Sequence, residues 1–237
     1  MNYKRDKMNN KIFFVGGGKG GVGKSLVTIS SVYILQENNQ DPLLIETDTS
    51  NPDTYKIFKD EIEVITIDLD TNDGWINFVN LTSETNKPII VNTAARNNIS
   101  LNKYSSILQN TLSELERDVI TLWVINRQRD SVELLKQFTE IFPPSDKHQI
   151  NVIKNLFFGD EIKFQLFNES KLKNFIESKN GKIIEFPELA DRVCDDIYSK
   201  RLSIREALKT QPIGNKAEIL RFIKIVQNNL DEVFNER

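Results

Sequence analysis

A glycine-rich stretch with two lysines, GGGKGGVGKS at 16–25, is the part of the chain best suited to chemistry. It follows the apolar run IFFV and precedes an amphipathic pattern, so a strand, a loop and a helix are predicted in that order. Glycines allow backbone N–H groups to converge on an anion without side-chain clashes, and the positive end of the following helix points at the same place. The stretch therefore predicts a phosphate-binding loop.

The spacing from Gly18 to Ser25 matches the phosphate-loop pattern G-x-x-x-x-G-K-[ST]. Lys24 is expected to reach the β- and γ-phosphates of a nucleotide, and the Ser25 hydroxyl is expected to bind Mg²⁺. The alternative, a glycine-rich turn with a chance lysine, is less favoured because the full motif occurs between a strand and a helix. The residues predicted to bind the nucleotide here are Gly18, Lys19, Gly20, Gly21, Val22, Gly23, Lys24, Ser25 and Leu26.

Lys19 is the second lysine of the loop and needs its own explanation. The segment KGGVGKS resembles the deviant Walker A signature of the ParA/MinD superfamily of ATPases. The resemblance implies ATP and Mg²⁺ as cofactors, and a Lys19 that crosses a dimer interface to the partner subunit's phosphates. A neighbour's lysine supplies positive charge only after dimerisation, which couples the nucleotide to dimerisation. A solvated loop lysine is the alternative interpretation.

The segment LLIETDTSN at 43–51 resembles switch I of that superfamily, with Glu46 as its first acidic residue and Asp48 as its second. The resemblance implies that Asp48 orients or activates the attacking water near Mg²⁺. Ligands bind at the carboxyl ends of strands in such folds, which favours this role. An Asx turn after the strand is the alternative role for Asp48.

The segment KPIIVNTAARNN at 87–98 falls where the superfamily has switch II, a strand that usually ends in an aspartate; here that position is Asn92. An aspartate there would hold Mg²⁺-bound water through its charge, and an amide supports the metal more weakly. Two functions therefore stay open, a slow ATPase and an ATP-binding scaffold that hardly hydrolyses ATP. Replacing Asn92 by Asp is expected to strengthen the Mg²⁺ dependence.

Two later segments resemble the walls of the family's nucleotide-base pocket. INVIKNLFFG at 150–159 carries Asn155 at a strand end, where its amide would bind the edge of adenine. A turn-forming residue at a strand end is the alternative for Asn155. IIEFPEL at 183–189 resembles the last strand and the loop beside the base, here at Pro187.

Seven apolar runs rich in Ile, Val and Phe alternate with amphipathic stretches along the chain. This pattern predicts an α/β fold, a doubly wound and mostly parallel sheet with helices on both faces. Residues 1–10 are expected to form a flexible tail and residues 11–237 a single P-loop ATPase domain. The stretch at 130–142 predicts a helix capped by Asp130 or Ser131.

Composition excludes several other classes of protein. Cys194 is the single cysteine of the 237 residues, which excludes an intrachain disulfide and the paired-cysteine cluster of iron–sulfur relatives. His148 is the single histidine and is expected in a polar turn, which argues against a zinc site or a Ser/His/Asp triad. The tail after Asn215 has mixed charge and is predicted to pack on the sheet, so membrane binding is not expected. The N-terminus lacks a secretory pattern, so a cytoplasmic location is expected.

The expected partners follow from the resemblance. They are a second copy of the chain, bound in the presence of ATP, and a partition or transfer protein. Within the superfamily, ETDTSNPDTY and SIREAL most resemble the ParA-like ATPases of conjugative and mobilisable plasmids, while partition and MinD-like positioning stay open. Non-specific DNA is a further candidate, although the net charge of −3 weakens the case. The basic residues that would bind it are Lys171, Lys173, Lys200, Arg201 and Arg205.

Overall fold

The computed structural model describes residues 10–95 and 98–234, so nearly all of the expected tail lies outside the described residues. Within them, seven strands form one sheet in the order β3-β2-β4-β1-β5-β6-β7, and every pair is parallel. The strands are β1 Lys11–Gly16, β2 Leu43–Glu46, β3 Val64–Thr66, β4 Ile89–Asn92, β5 Asp118–Ile125, β6 His148–Asn155 and β7 Ile183–Phe186. The predicted parallel sheet is confirmed, because its apolar strands are covered on both faces.

Helices pack against both faces of this sheet. One face is covered by α1, α2 and α9 to α11, and the other by α3 to α8. The helices are α1 Lys24–Glu37, α2 Asp53–Phe58, α3 Asn72–Glu84, α4 Asn98–Tyr104, α5 Ser106–Leu115, α6 Arg129–Ile141, α7 Gln165–Asn168, α8 Lys171–Ser178, α9 Asp191–Ser199, α10 Ile204–Thr210 and α11 Ile213–Phe234. The doubly wound fold class is therefore confirmed.

The central strand β1 lies between β4 and β5, and the chain winds outward from it in both directions. A crevice forms at such a switch point, at the carboxyl ends of the strands. The ends of β1, β2 and β4 lie side by side there, because Asn92 pairs with Val15 of β1 on one side and with Glu46 of β2 on the other. The strand order therefore brings the phosphate loop and both switch segments to one edge of the sheet.

The C-terminal helix α11 packs on the sheet, as predicted. Phe234 near its end stacks on Phe13 of β1 with ring centroids 4.4 Å apart, and Phe222 and Val226 are fully buried in the same apolar cluster. Burial of large apolar side chains of this kind stabilises the fold by about 1.5–3 kcal/mol each. In the part of the chain that the structure describes, no helix has the length and apolar character needed to span a bilayer.

The predicted cap of α6 is wrong. The helix begins at Arg129, so Asp130 and Ser131 lie inside its first turn. The N-cap residue is Gln128, whose side chain makes no capping hydrogen bond. Just before it, the Oδ1 of Asn126 forms a turn, because it accepts hydrogen bonds from the backbone N–H of Gln128 at 2.9 Å and from the Ser131 hydroxyl at 2.8 Å. The Asp130 carboxylate is consequently available for a contact outside the helix.

The predicted position of His148 is also wrong. It is the first residue of β6 and is 2% exposed, stacked on Phe142 with ring centroids 4.0 Å apart. Its Nδ1 donates to the carbonyl of Pro143 at 3.0 Å, which leaves Nε2 to accept from the Thr121 hydroxyl at 2.8 Å. Burial lowers the pKa of His148 to about 4. The ring is therefore neutral in the folded protein at neutral pH.

We predict that His148 makes the folded state less stable as the pH falls from 6.5 towards 4. The unfolded chain takes up the proton near its ordinary pKa of 6.5, whereas the folded protein resists it down to about 4. Protonation therefore favours the unfolded state, and about 3 kcal/mol of stability present above pH 6.5 is lost across this window.

Chemical denaturation of wild type and of His148→Gln at several pH values between 7 and 4 measures this contribution. The variant should lose less stability than wild type over the window, because it lacks the titrating ring. Equal losses in the two proteins would contradict the prediction.

Candidate nucleotide-binding site

A cavity of about 500 Å³ opens at the carboxyl edge of the sheet. This volume lies within the range of small-molecule binding pockets. Most of the predicted site residues line it, namely Gly20, Gly21, Gly23, Lys24, Ser25, Leu26, Asp48, Asn92, Asn155 and Pro187. Gly18, Lys19 and Val22 belong to the same loop but do not line the cavity. The fold thus gathers into one place residues that are separated by up to about 170 positions in the sequence.

The loop backbone requires glycine at two positions. Gly21 and Gly23 have φ angles of 75° and 104°, which side chains other than glycine rarely adopt. A Cβ atom on Gly23 would also lie 2.4 Å from Nδ2 of Asn155. Helix α1 starts at the next residue without a side-chain cap or an acidic residue in its first turn. Its first N–H groups therefore suit an anion in the cavity.

Lys24 is a buried lysine, and none of the carboxylates in the described part of the chain is in hydrogen-bond contact with it. Its side chain sits in the loop with Nζ donating to the carbonyl of Lys19 at 2.9 Å, and the residue is 8% exposed. Burial lowers the pKa of Lys24 to about 8, although the charges of Asp48 and Glu46 oppose this shift. A buried ammonium held by a backbone carbonyl favours the approach of an anion, so the residues present fit a phosphate group.

Lys19 points away from the cavity in the single chain. Its Nζ lies 2.7 Å from the Asp130 carboxylate and 3.1 Å from Oε1 of Gln128, at the start of α6. Lys19 lowers the pKa of the Asp130 carboxyl through its hydrogen bond and its charge. The pair is well exposed, with 37% of the Lys19 side chain and 57% of the Asp130 side chain accessible. Such an exposed pair is weak and easily exchanged for a stronger partner.

Asp48 takes part in a turn and also lines the cavity. Its Oδ1 accepts from the backbone N–H of Asn51 at 2.9 Å, which closes a turn one residue longer than the expected Asx turn. The same residue lines the cavity beside Lys24 and Ser25. Within the described residues there is no group of three or more His, Cys, Asp and Glu side chains that could hold a metal ion.

Asn92 lines the cavity, but its amide is engaged behind it. Nδ2 donates to both carboxylate oxygens of Glu46 at 3.1 and 3.0 Å, and Oδ1 accepts from the Thr28 hydroxyl at 3.0 Å. From the sequence, Glu46 is identified only as the first acidic residue of switch I. The adjacency of β2 and β4 makes it the partner of Asn92.

Asn155 ties β6 to the phosphate loop. Its Nδ2 donates to the carbonyl of Val22 at 2.8 Å, and its Oδ1 accepts from the backbone N–H of Phe157 at 3.1 Å. The second contact is the turn-forming role considered as the alternative. One N–H of the amide and one lone pair remain for a ligand in the cavity, so the base contact stays a prediction.

Sequence reasoning missed the wall of the cavity beyond Pro187. This wall includes Asp191, Cys194 and Tyr198 of α9. Their spacing of three and then four residues places them on one face of the helix, and that spacing was the available signal. Burial raises the pKa values of both Cys194 and Tyr198, so the wall is uncharged at these two positions.

Comparison with known proteins supports this interpretation of the cavity. Residues 13–228 match the family model described as the CobQ/CobB/MinD/ParA nucleotide binding domain. The chain is 50% identical over 230 residues to Protein MobD of Acidithiobacillus ferrooxidans, which covers 97% of this chain and 100% of MobD. It is 23% identical over 234 residues to Protein TraL of Escherichia coli, covering 94% of this chain and 96% of TraL.

The fold has a solved counterpart in the septum site-determining protein MinD of Pyrococcus horikoshii OT3, whose structure contains Mg-ADP. The TM-score is 0.57, with 95% of this chain and 98% of that chain covered at 14% identity, a likeness of fold alone. The family match extends over most of the chain and includes the phosphate loop and both switch segments. The protein therefore belongs to the CobQ/CobB/MinD/ParA family of nucleotide-binding domains.

Proposed function

We propose that the protein is a ParA/MinD-type ATPase that binds Mg²⁺-ATP, forms an ATP-sandwich homodimer and acts as a nucleotide switch. Slow hydrolysis of ATP returns the dimer to monomers. The observation that carries the proposal is Lys24, a buried ammonium set beneath a glycine loop and the uncapped end of α1. In a nucleotide-binding family, the anion that fits this arrangement is the phosphate chain.

The position of Lys19 supports the dimer. The residue lies at the rim of the loop and outside the cavity, and its exposed pairing with Asp130 and Gln128 holds it weakly. A second copy that presents its phosphates to this rim offers Lys19 a stronger, charge-assisted partner. Because a homodimer is symmetric, the gain occurs twice, and it exists only in the closed state.

Asp48 is the proposed residue for the attacking water. A carboxylate at the carboxyl end of β2 lies on the same side of the sheet as Lys24 and Ser25. One of its oxygens accepts from the backbone N–H of Asn51, and a carboxylate has further acceptor positions for a hydrogen bond from water. Mg²⁺ bound beside Ser25 would neutralise charge on the phosphates, with Asp48 and Asn92 as the other candidate residues around it.

A second candidate function is an ATP-binding scaffold with little or no hydrolysis. The observation that favours it is Asn92, which brings an amide rather than a carboxylate to the cavity. Both candidates bind ATP and dimerise, and they differ in turnover. Steady-state phosphate release by the purified protein separates them, since the switch hydrolyses ATP in a Mg²⁺-dependent way and the scaffold does not.

The proposed setting is plasmid mobilisation, with transfer and partition as related settings. The 50% identity to MobD over its whole length supports mobilisation, and the more distant similarity to TraL agrees with it. The partners proposed are a second copy of the chain and a partition or transfer protein. Non-specific DNA is a further candidate, and the chain offers no argument for a membrane.

We predict that Lys24→Ala weakens binding of a fluorescent ADP analogue by about 100-fold, because the phosphates lose a charge-assisted contact. Equilibrium fluorescence titration measures the change. Lys19→Ala is the matched control, since it removes the same charge from the same loop but outside the cavity, and it should bind ADP nearly as wild type does. Equal ADP affinity in wild type and Lys24→Ala would sink the phosphate-loop assignment.

We predict that Asp48→Ala lowers phosphate release at saturating Mg²⁺-ATP by about 100-fold, which is the usual contribution of a residue that positions or activates water. The control is Asp53→Ala, because Asp53 is another acidic residue that lines the cavity. Asp53→Ala should turn over ATP at close to the wild-type rate. Unchanged turnover in Asp48→Ala would leave that residue with the turn alone.

We predict that Lys19→Ala binds ADP normally but stays monomeric with Mg²⁺-ATP. Loss of two symmetric contacts to phosphate weakens dimerisation by about 100-fold or more. Sedimentation velocity with ADP and with ATP measures the effect.

Asp130→Asn is the matched control for Lys19→Ala. It breaks the same ion pair but leaves Lys19 free, so it should dimerise on ATP at least as well as wild type. If Asp130→Asn were as defective as Lys19→Ala, the pairing within one chain would be what matters, and the proposed contact across the dimer would be wrong.

A further inference from the structure

Two buried polar side chains face each other where β2 and β4 end. Glu46 is the last residue of β2, Asn92 is the last residue of β4, and the two are register partners. Glu46 is 0% exposed and Asn92 is 4% exposed. The Asn92 amide donates to both oxygens of the Glu46 carboxylate, at 3.1 and 3.0 Å. Burial raises the pKa of the Glu46 carboxyl, and the hydrogen-bond donors around it oppose that rise.

The other donors to Glu46 come from switch I and from α2. Its Oε1 accepts from the backbone N–H of Asp48 at 2.8 Å, and its Oε2 accepts from the Thr54 hydroxyl at 2.5 Å. The backbone of the Asp48 turn is therefore anchored by the same carboxylate that Asn92 holds. One buried group links the ends of β2 and β4 to the start of α2.

The orientation of the Asn92 amide follows from these partners. A carboxylate only accepts hydrogen bonds, so the NH₂ group of Asn92 must face Glu46. The Thr28 hydroxyl on the other side can donate or accept, and it donates to Oδ1 of Asn92. The pairing is complementary because one strand end carries the acceptor and the other carries the donor.

We propose that Asn92 is a positioning residue, whose task is to hold the Glu46 carboxylate and through it the Asp48 turn, and that Glu46 and Asn92 form a matched pair. The inference rests on the proposed function, because the Asp48 turn matters through the Mg²⁺-nucleotide that it would help to bind. It reverses the expectation from sequence that an aspartate at Asn92 would strengthen the Mg²⁺ dependence. An aspartate there would set an acceptor against the acceptor oxygens of Glu46 and remove the donor that holds them.

The test is a double-mutant cycle of Glu46→Gln, Asn92→Asp and the two together, measured without nucleotide by thermal unfolding. Asn92→Asp should lower Tm by about 5 °C, because a buried hydrogen bond is lost and acceptors are opposed. Glu46→Gln should also lower Tm, since one donor then meets another. The combined variant exchanges donor and acceptor between the two strands, so its loss of Tm should be smaller than the sum of the single losses.

The second readout is affinity for ADP with and without Mg²⁺ in the same set of variants. Asn92→Asp should bind ADP in the presence of Mg²⁺ about tenfold more weakly than wild type, and the combined variant should recover part of that loss. Asn92→Ala is the control, because it removes the donor without adding an acceptor, and its defect should lie between wild type and Asn92→Asp. A purely structural role would lower Tm but leave the ratio of affinities with and without Mg²⁺ unchanged.

Two results would overturn the proposal. Tighter Mg²⁺-ADP binding by Asn92→Asp at an unchanged Tm would mean that a negative charge at position 92 favours metal binding, as expected from the sequence. Losses of Tm that simply add in the combined variant would mean that Glu46 and Asn92 are not a matched pair. Failure of the proposed function looks different: wild type would not bind ADP at all, while the Tm cycle would still report on the pair.

Discussion

The ammonium group of Lys24 is buried beneath the phosphate loop, and the groups around it have to compensate a buried positive charge. Lys24 is held by a backbone carbonyl of its own loop, and its lowered pKa reflects the cost of burial. Two carboxylates compensate in part from nearby, Asp48 at the turn after β2 and Glu46 behind it. A phosphate chain would complete this set of charges, because it brings anionic oxygens to the loop, to the uncapped start of α1 and to Lys24 together.

The same charges explain why a single chain and a dimer would differ. In the single chain each lysine of the loop contacts an oxygen of the same chain. Lys24 donates to a backbone carbonyl, and Lys19 pairs with the Asp130 carboxylate. The carbonyl is neutral and the ion pair with Asp130 is exposed, so both contacts are weak. The phosphates of a nucleotide in the same chain would replace the carbonyl as the partner of Lys24. The phosphates of a partner's nucleotide would replace Asp130 as the partner of Lys19. The two lysines would thus respond to successive events, binding and then dimerisation.

Much of this arrangement can be predicted from the sequence, because it depends on residues that are close together in the chain. The spacing of Gly21, Gly23 and Lys24 follows from the backbone of a phosphate loop, and the apolar runs follow from a sheet buried on both faces. The long-range contacts within the site cannot be predicted in this way. Asp130 has the sequence position of a helix cap, yet the N-cap residue is Gln128 and Asp130 forms an ion pair with a lysine more than a hundred residues away. The pairing of Glu46 with Asn92 depends on which strands are neighbours, and spacing in the chain does not reveal strand order. The polar neighbours of His148 predict a turn, whereas the fold buries this residue at the start of β6.

Isothermal titration calorimetry of the wild-type protein with ATP, with and without Mg²⁺, tests the central claim most directly. If the cavity at the carboxyl edge of the sheet binds the phosphate chain as described, one ATP binds per chain, and Mg²⁺ tightens the binding. Inorganic phosphate at the same concentration should bind far more weakly, since it lacks the base and ribose that the rest of the cavity would enclose. Absence of ATP binding, or an affinity that Mg²⁺ does not change, would contradict the account.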